Sequence, residues 1–224
     1  MIEFMPLASG SSGNAYFADD GKTKLLLDAG IPYRQIQIGS GFKMRDIAGA
    51  FVTHCHGDHS KAMKDLAKYG TDVYASGGTL RACGLFGHRF HSVRALEQIT
   101  VGTWDILPFD VQHDAPEPLG FLFTTRTTGE KLLYFTDTYF IKYRFSGLSV
   151  IACECNYSTE ALQRSIAAGY ISAGMAPRLF NGSAVAFDQF EGEKGTHSEF
   201  VEGLMSSDMK KTCDDLALFM HDCV

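Results

Sequence analysis

Apolar and polar positions change period several times along the chain, and those changes mark its elements. The first quarter reads as short strands at residues 2–7, 15–18, 24–28 and 49–53, separated by Gly/Ser turns. In SKAMKDLAKYG the period becomes helical: Ala62, Met63, Leu66 and Ala67 follow the i, i+3, i+4 spacing of an amphipathic helix ending at Gly70. TDVYA predicts a short strand and GGTLRACGLFG a second helix. Strands return at 104–111, 120–125 and 131–135, the last two joined by turn residues 127–129, with another at 150–154. STEALQRSIAAG predicts a helix with Ser158 as N-cap, and 216–220 a last apolar strand. Strands in two batches, each followed by helices, predict two sheets packed on each other with helices outside. Without repeat or linker, residues 1–224 are expected to form a single domain.

Composition changes this picture little. A chain of 224 residues, 45% hydrophobic, has enough apolar surface for a full core. Its formal charge of −6 argues against binding nucleic acid by bulk electrostatics, while leaving room for a local basic groove. No apolar stretch approaches the ~18 residues of a membrane span. MIEFMPLASG has neither a charged n-region nor a long h-region, so a soluble, cytoplasmic protein is expected. The six cysteines then read as reduced thiols. Cys153 and Cys155 would share a strand face, and without a second such pair they read as core packing rather than a soft-metal site.

The stretch THCHGDHS, residues 53–60, carries most of the chemistry. Three histidines and an aspartate (His54, His56, Asp58 and His59) follow the apolar run 47–52. Imidazole and carboxylate are ligands of borderline divalent metals, and a loop leaving a strand can turn several of them toward one point. Four such side chains exceed what one tetrahedral ion accepts with good geometry, so two ions are expected. A polar loop capping the helix that starts near Ser60 is the simpler alternative, and the density of ligand types argues against it.

THCHGDH resembles the signature of the metallo-β-lactamase superfamily, which implies an α/β fold: an αββα sandwich of two mixed β-sheets flanked by helices. LASGSSGNAY, QHDAPEPLGF, YFTDT and ACECNYS resemble more narrowly its YycJ/WalJ-like branch of small nuclease-like members. That resemblance runs over about residues 5–180 and weakens beyond 181, where GSAVAFDQFEGEKG reads as an insertion or a diverged segment. It implies an aspartate before the motif, Asp28 in LLLDAG. It also implies His54, His56 and His113 on one divalent ion, Asp58, His59 and a further histidine on a second, and Asp137 bridging them. Zinc is the first expectation and manganese the second.

A hydroxide between the ions would be the nucleophile, oriented by Asp58. For the last ligand, GTHSEF and LALFMHDCV offer His197 and His221. His221, closing an apolar strand, is assigned to the metal, and His197 to a catalytic role toward substrate; the reverse assignment stays open. The branch implies a phosphodiesterase or nuclease acting on nucleic acid or a nucleotide, with no membrane partner. A phosphodiesterase for cyclic nucleotides and a non-catalytic binding module of the same fold are the alternatives. SGSSGN at 9–14 reads equally as a phosphate-receiving loop and as a hairpin turn. Glu154 and Asn156 in ECNYS close a strand near the expected sheet edge, where Glu154 would support a ligating histidine or cap the next helix.

Overall fold

The computed structural model describes residues 1–138 and 141–153. The described residues divide into two units: Met1–Asp110 with Ala115–Tyr134, and Val111–Asp114 with those from Phe135 to Cys153.

In the first unit β1 (Glu3–Ala8), β2 (Ala15–Asp19) and β3 (Lys24–Leu27) form an antiparallel meander. From β3 the pairing turns parallel through β4 (Ile47–Phe51), β5 (Val73–Ser76) and β6 (Phe90–Val93), so one mixed sheet runs in the order β1 to β6. Parallel neighbours need crossovers, and helices supply them. The crossovers are α1 (Tyr33–Gly39), then α2 (Gly57–Ser60) with α3 (Met63–Lys68), then α4 (Gly77–Ala82). Their apolar positions Ile36, Met63, Leu66 and Leu80 join Leu26, Val52 and Val73 in one buried cluster.

The second sheet holds β7 (Ile99–Val101), β8 (Trp104–Asp110), β9 (Leu119–Thr125) and β10 (Lys131–Phe135), adjacent and antiparallel in that order. Phe51 of β4 meets Phe121 and Phe123 of β9 edge-on, ring centroids 5.6 and 5.3 Å apart, so the two sheets stack through aromatic rings. At one end a single carboxylate ties their turns together. Asp20 after β2 is 5% exposed; its Oδ2 accepts from the hydroxyls of Thr103, Thr125 and Thr127, and its Oδ1 from the N–H groups of Lys22 and Thr23. In the second unit β11 spans Val150–Cys153.

The α/β class is as expected, and most elements stand where the period placed them. The helix expected over 60–70 is divided, because Ala62 at φ −94°, ψ 0° leaves the helical region between α2 and α3. The one expected over 77–87 stops at Ala82, just before Gly84 turns left-handed at φ +64°. α1, β6 and β7 were among the elements not anticipated. In α1 only Ile36 is buried, which leaves no apolar stripe to read, and β6 and β7 are four and three residues long. The strand at 216–220 and the helix after Ser158 lie outside the described residues.

Candidate metal centre

The parallel register pairs Leu27 with Phe51, which sets the residues that follow β3 and β4 side by side at one edge of the sheet. Asp28 ends β3 at φ +54°, a left-handed conformation that aspartate adopts more readily than most residues and that turns its side chain off the strand. Asp28 is fully buried and its carboxylate gathers four donors. Oδ1 accepts from the Thr53 N–H at 2.8 Å and the Thr53 hydroxyl at 3.0 Å. Oδ2 accepts from the Tyr134 hydroxyl at 2.6 Å and faces His59 Nδ1 at 2.8 Å.

These bonds fix the imidazoles. A carboxylate only accepts, so His59 carries its proton on Nδ1 and presents an unprotonated Nε2. The Thr53 hydroxyl gives its proton to Asp28 and accepts from His54 Nδ1 at 3.1 Å, which leaves His54 Nε2 unprotonated as well. His54 Nε2 lies 3.1 Å from His56 Nδ1, and His59 Nε2 lies 3.6 Å from the Asp58 carboxylate. Atoms of metal-ligand type thus lie at short range from one another. Two nitrogens sharing a tetrahedral ion at ~2.0–2.1 Å stand about 3.3 Å apart, close to the observed spacing. His54 has a ligand atom within 4.8 Å of one on His56 and of one on His59. His54 and His59 are buried, and Asp58 is partly exposed. The donor set and its spacing suit a divalent cation.

Backbone hydrogen bonds also hold the loop that carries Asp58. Asn14 N–H donates to the Asp58 carbonyl at 2.7 Å, Gly30 N–H to the Asn14 carbonyl at 2.8 Å, and Ala29 N–H to the His59 carbonyl at 2.8 Å. Gly30 approaches so closely that a Cβ there would overlap the Asp58 carbonyl oxygen. A Cβ on Gly13, at φ +146°, would in turn overlap the Gly30 carbonyl. The glycine loop at 9–14 is therefore a tight turn packed against the motif. Its Gly10, Gly13 and Asn14 N–H groups already donate to Asn14 Oδ1, Gly10 O and Asp58 O, which leaves the phosphate-receiving alternative without those donors.

Within the second unit, His113 and Asp137 come together. His113 Nε2 is 4.0 Å from Asp137 Oδ2, and its Nδ1 is 3.2 Å from Asp114 Oδ1. The Gln112 N–H donates to the Thr138 hydroxyl at 3.0 Å, joining the two short segments. Asp137, like Asp28, is left-handed, at φ +46°. His197, His221, Glu154, Asn156 and Cys155 lie outside the described residues. Two contributors escaped the sequence reading. From distant positions the Tyr134 hydroxyl reaches Asp28, and the Asn14 side chain, whose Nδ2 lies 3.2 Å from His59 Nε2, reaches the motif.

An α/β stack of two sheets with a histidine and carboxylate cluster where parallel strands end defines a class of metal-binding hydrolase folds. Residues 23–166 match the family model described as the beta-lactamase superfamily domain. The exodeoxyribonuclease YycJ of Bacillus anthracis is 31% identical over 175 residues, covering 72% of this chain and 66% of that protein. The exodeoxyribonuclease WalJ of Streptococcus pneumoniae is 33% identical over 177 residues, covering 72% of this chain and 65% of that protein. The matches thus span slightly under two thirds of each relative's length. Among solved structures, the metallo-beta-lactamase fold protein YhfI of Bacillus subtilis superposes with a TM-score of 0.57. At 14% identity over 71% of this chain and 74% of that one, this likeness is one of fold. The chain belongs to the metallo-β-lactamase superfamily. Among the described residues, no helix is long and apolar enough to cross a membrane.

Proposed function

We propose that the chain is a two-metal phosphodiesterase acting on nucleic acid, with DNA ends as the first substrate to test. The carrying observation is the Asp28–His59–Asp58 line. Asp28 holds the proton of His59 on Nδ1, and the unprotonated Nε2 lies 3.6 Å from the Asp58 carboxylate, two ligand atoms that a cation would draw together. The names of the relatives, exodeoxyribonucleases, support the substrate class. In this reading His54, His56 and His113 would hold one zinc or manganese ion, Asp58, His59 and His221 would hold a second, and Asp137 would serve both. When bound, the ions supply a water acidic enough to ionise near neutral pH and take up charge from a phosphoryl oxygen.

The chain's own groups do the rest. Asp58 accepts a hydrogen bond from the attacking water and orients it. Asp28, through His59, and Thr53, through His54, keep each imidazole in the tautomer that presents Nε2. His197 donates a proton to the departing oxygen.

The test is metal analysis of the full chain alongside a panel of bis-p-nitrophenyl phosphate, single- and double-stranded DNA, RNA, cyclic nucleotides and nitrocefin. Two ions per chain with cleavage of DNA are expected. Two ions with activity on cyclic nucleotides alone would move the substrate class, and one ion or none without turnover would make the chain a binding module.

A further inference from the structure

Asn14 is 4% exposed, and its place is fixed on every side. Its backbone N–H donates to the Asp58 carbonyl and its carbonyl accepts from Gly30 N–H, so it cannot move without moving the motif loop. The side-chain amide has one orientation. Gly10 N–H, which can only donate, meets Oδ1 at 3.0 Å, and the Tyr16 hydroxyl meets the same oxygen at 3.1 Å. The NH2 group therefore faces the other way, with Nδ2 at 3.2 Å from His59 Nε2. Because Asp28 fixes the His59 proton on Nδ1, that contact is an N–H donated to a bare lone pair.

The cation of the proposed function needs the same lone pair, and one lone pair serves one partner. With His59 bound to a cation, the Asn14 NH2 keeps its position and loses its acceptor, and a buried donor without an acceptor costs about 1–3 kcal/mol. An acceptor has to come with the ligand. An anionic oxygen, several lone pairs wide, satisfies a donor at this place best.

We propose that Asn14 is a substrate-contacting residue, its side-chain NH2 donating to a non-bridging oxygen of the phosphate group drawn to the metal centre. This rests on the metal-centre reading above and adds to it a recognition element that is neither a ligand nor an acid–base group. A neutral amide contributes orientation here without competing for the cation.

Asn14→Asp is the sharpest variant, since it is isosteric and keeps the oxygen that Gly10 N–H and the Tyr16 hydroxyl require, while an oxygen replaces the NH2. Asn14→Ala removes donor and acceptor together. Zinc affinity is measured by competition with a chelator, inorganic phosphate binding to the zinc-loaded full chain by calorimetry, and folding by circular dichroism. Zinc affinity is expected to be unchanged or higher in both variants, and highest in Asn14→Asp, whose added charge favours the cation. Phosphate affinity is expected to fall about 10–100-fold, the range for one hydrogen bond to a charged group. Retained phosphate affinity in folded Asn14→Asp would overturn the inference. So would zinc affinity that falls with phosphate affinity, which would make Asn14 a support of the ligands, or a zinc-loaded wild type that binds no phosphate. A wild type that binds no zinc would instead sink the metal-centre reading, and this inference with it.

Discussion

Asp20 offers a stability prediction that does not involve the metal centre. Burial by itself raises its carboxyl pKa, but the Thr103 and Thr125 hydroxyls and the N–H groups of Thr23 and Lys22 outweigh it, and the group titrates far below the ordinary carboxylate range. The folded value being depressed, the stabilisation is present above the unfolded pKa of ~3.9 and is lost as pH falls toward the folded value. For a folded value well below 3, linkage gives a loss of about 1.3 kcal/mol between pH 7 and pH 3. Asp20→Asn keeps the shape and one acceptor oxygen but turns an NH2 toward donors, so it should cost about 1–3 kcal/mol at pH 7. Asp20→Ala should cost roughly 3–5 kcal/mol, because several buried donors lose their acceptor at once. Urea unfolding of wild type and Asp20→Asn at pH 7 and pH 3 checks this, since other carboxylates cancel in the difference. The difference should shrink by about 1.3 kcal/mol at the lower pH. A difference that stays constant with pH would show that the charge on Asp20 does not matter to the fold.

Three further outcomes are expected. Asp28→Asn keeps the size but offers an ambiguous partner to His59 Nδ1, and zinc affinity measured against a chelator should drop about 10–100-fold; unchanged affinity would end its orienting role. Gly30→Ala forces a methyl group onto the Asp58 carbonyl, so the melting temperature and metal content should fall together, and a fully stable, loaded variant would contradict the packing. His197→Ala should slow cleavage of a diester with a poor leaving group about 10²–10⁴-fold at full metal content. His221→Ala should lose an ion, and the opposite pairing of effects would exchange the two roles.

What could be read in the chain was what is local in it. His54, His56, Asp58 and His59 sit within six consecutive residues, and the apolar stripe of α3 within two turns, so spacing alone disclosed both. The groups that orient those histidines are spread over 120 residues of sequence: Asn14, Asp28, Thr53 and Tyr134 meet only because β3 and β4 run parallel and the second sheet folds onto the first. Asp28 was visible through family resemblance, but its partners were not. The glycine loop was legible as a turn, whereas its use as a packing surface depends on Gly30, seventeen residues after Gly13. Short edge strands such as β6 and β7 carry too few residues for a period to show.

The backbone contact among Gly13, Gly30 and Asp58 bears on attempts to transplant this chemistry. A designer who copied only residues 53–60 onto another sheet would carry over every ligand type of the motif and none of its anchorage to the neighbouring strand and turn. The Asp58 carbonyl accepts from Asn14, the His59 carbonyl from Ala29, and the closeness of both strands depends on two residues without side chains. The smallest portable unit is therefore three segments, with the turn before β2 and the exit of β3 travelling alongside the motif, and a graft lacking the two glycines would place the histidines on a loop cut off from the backbone that seats it.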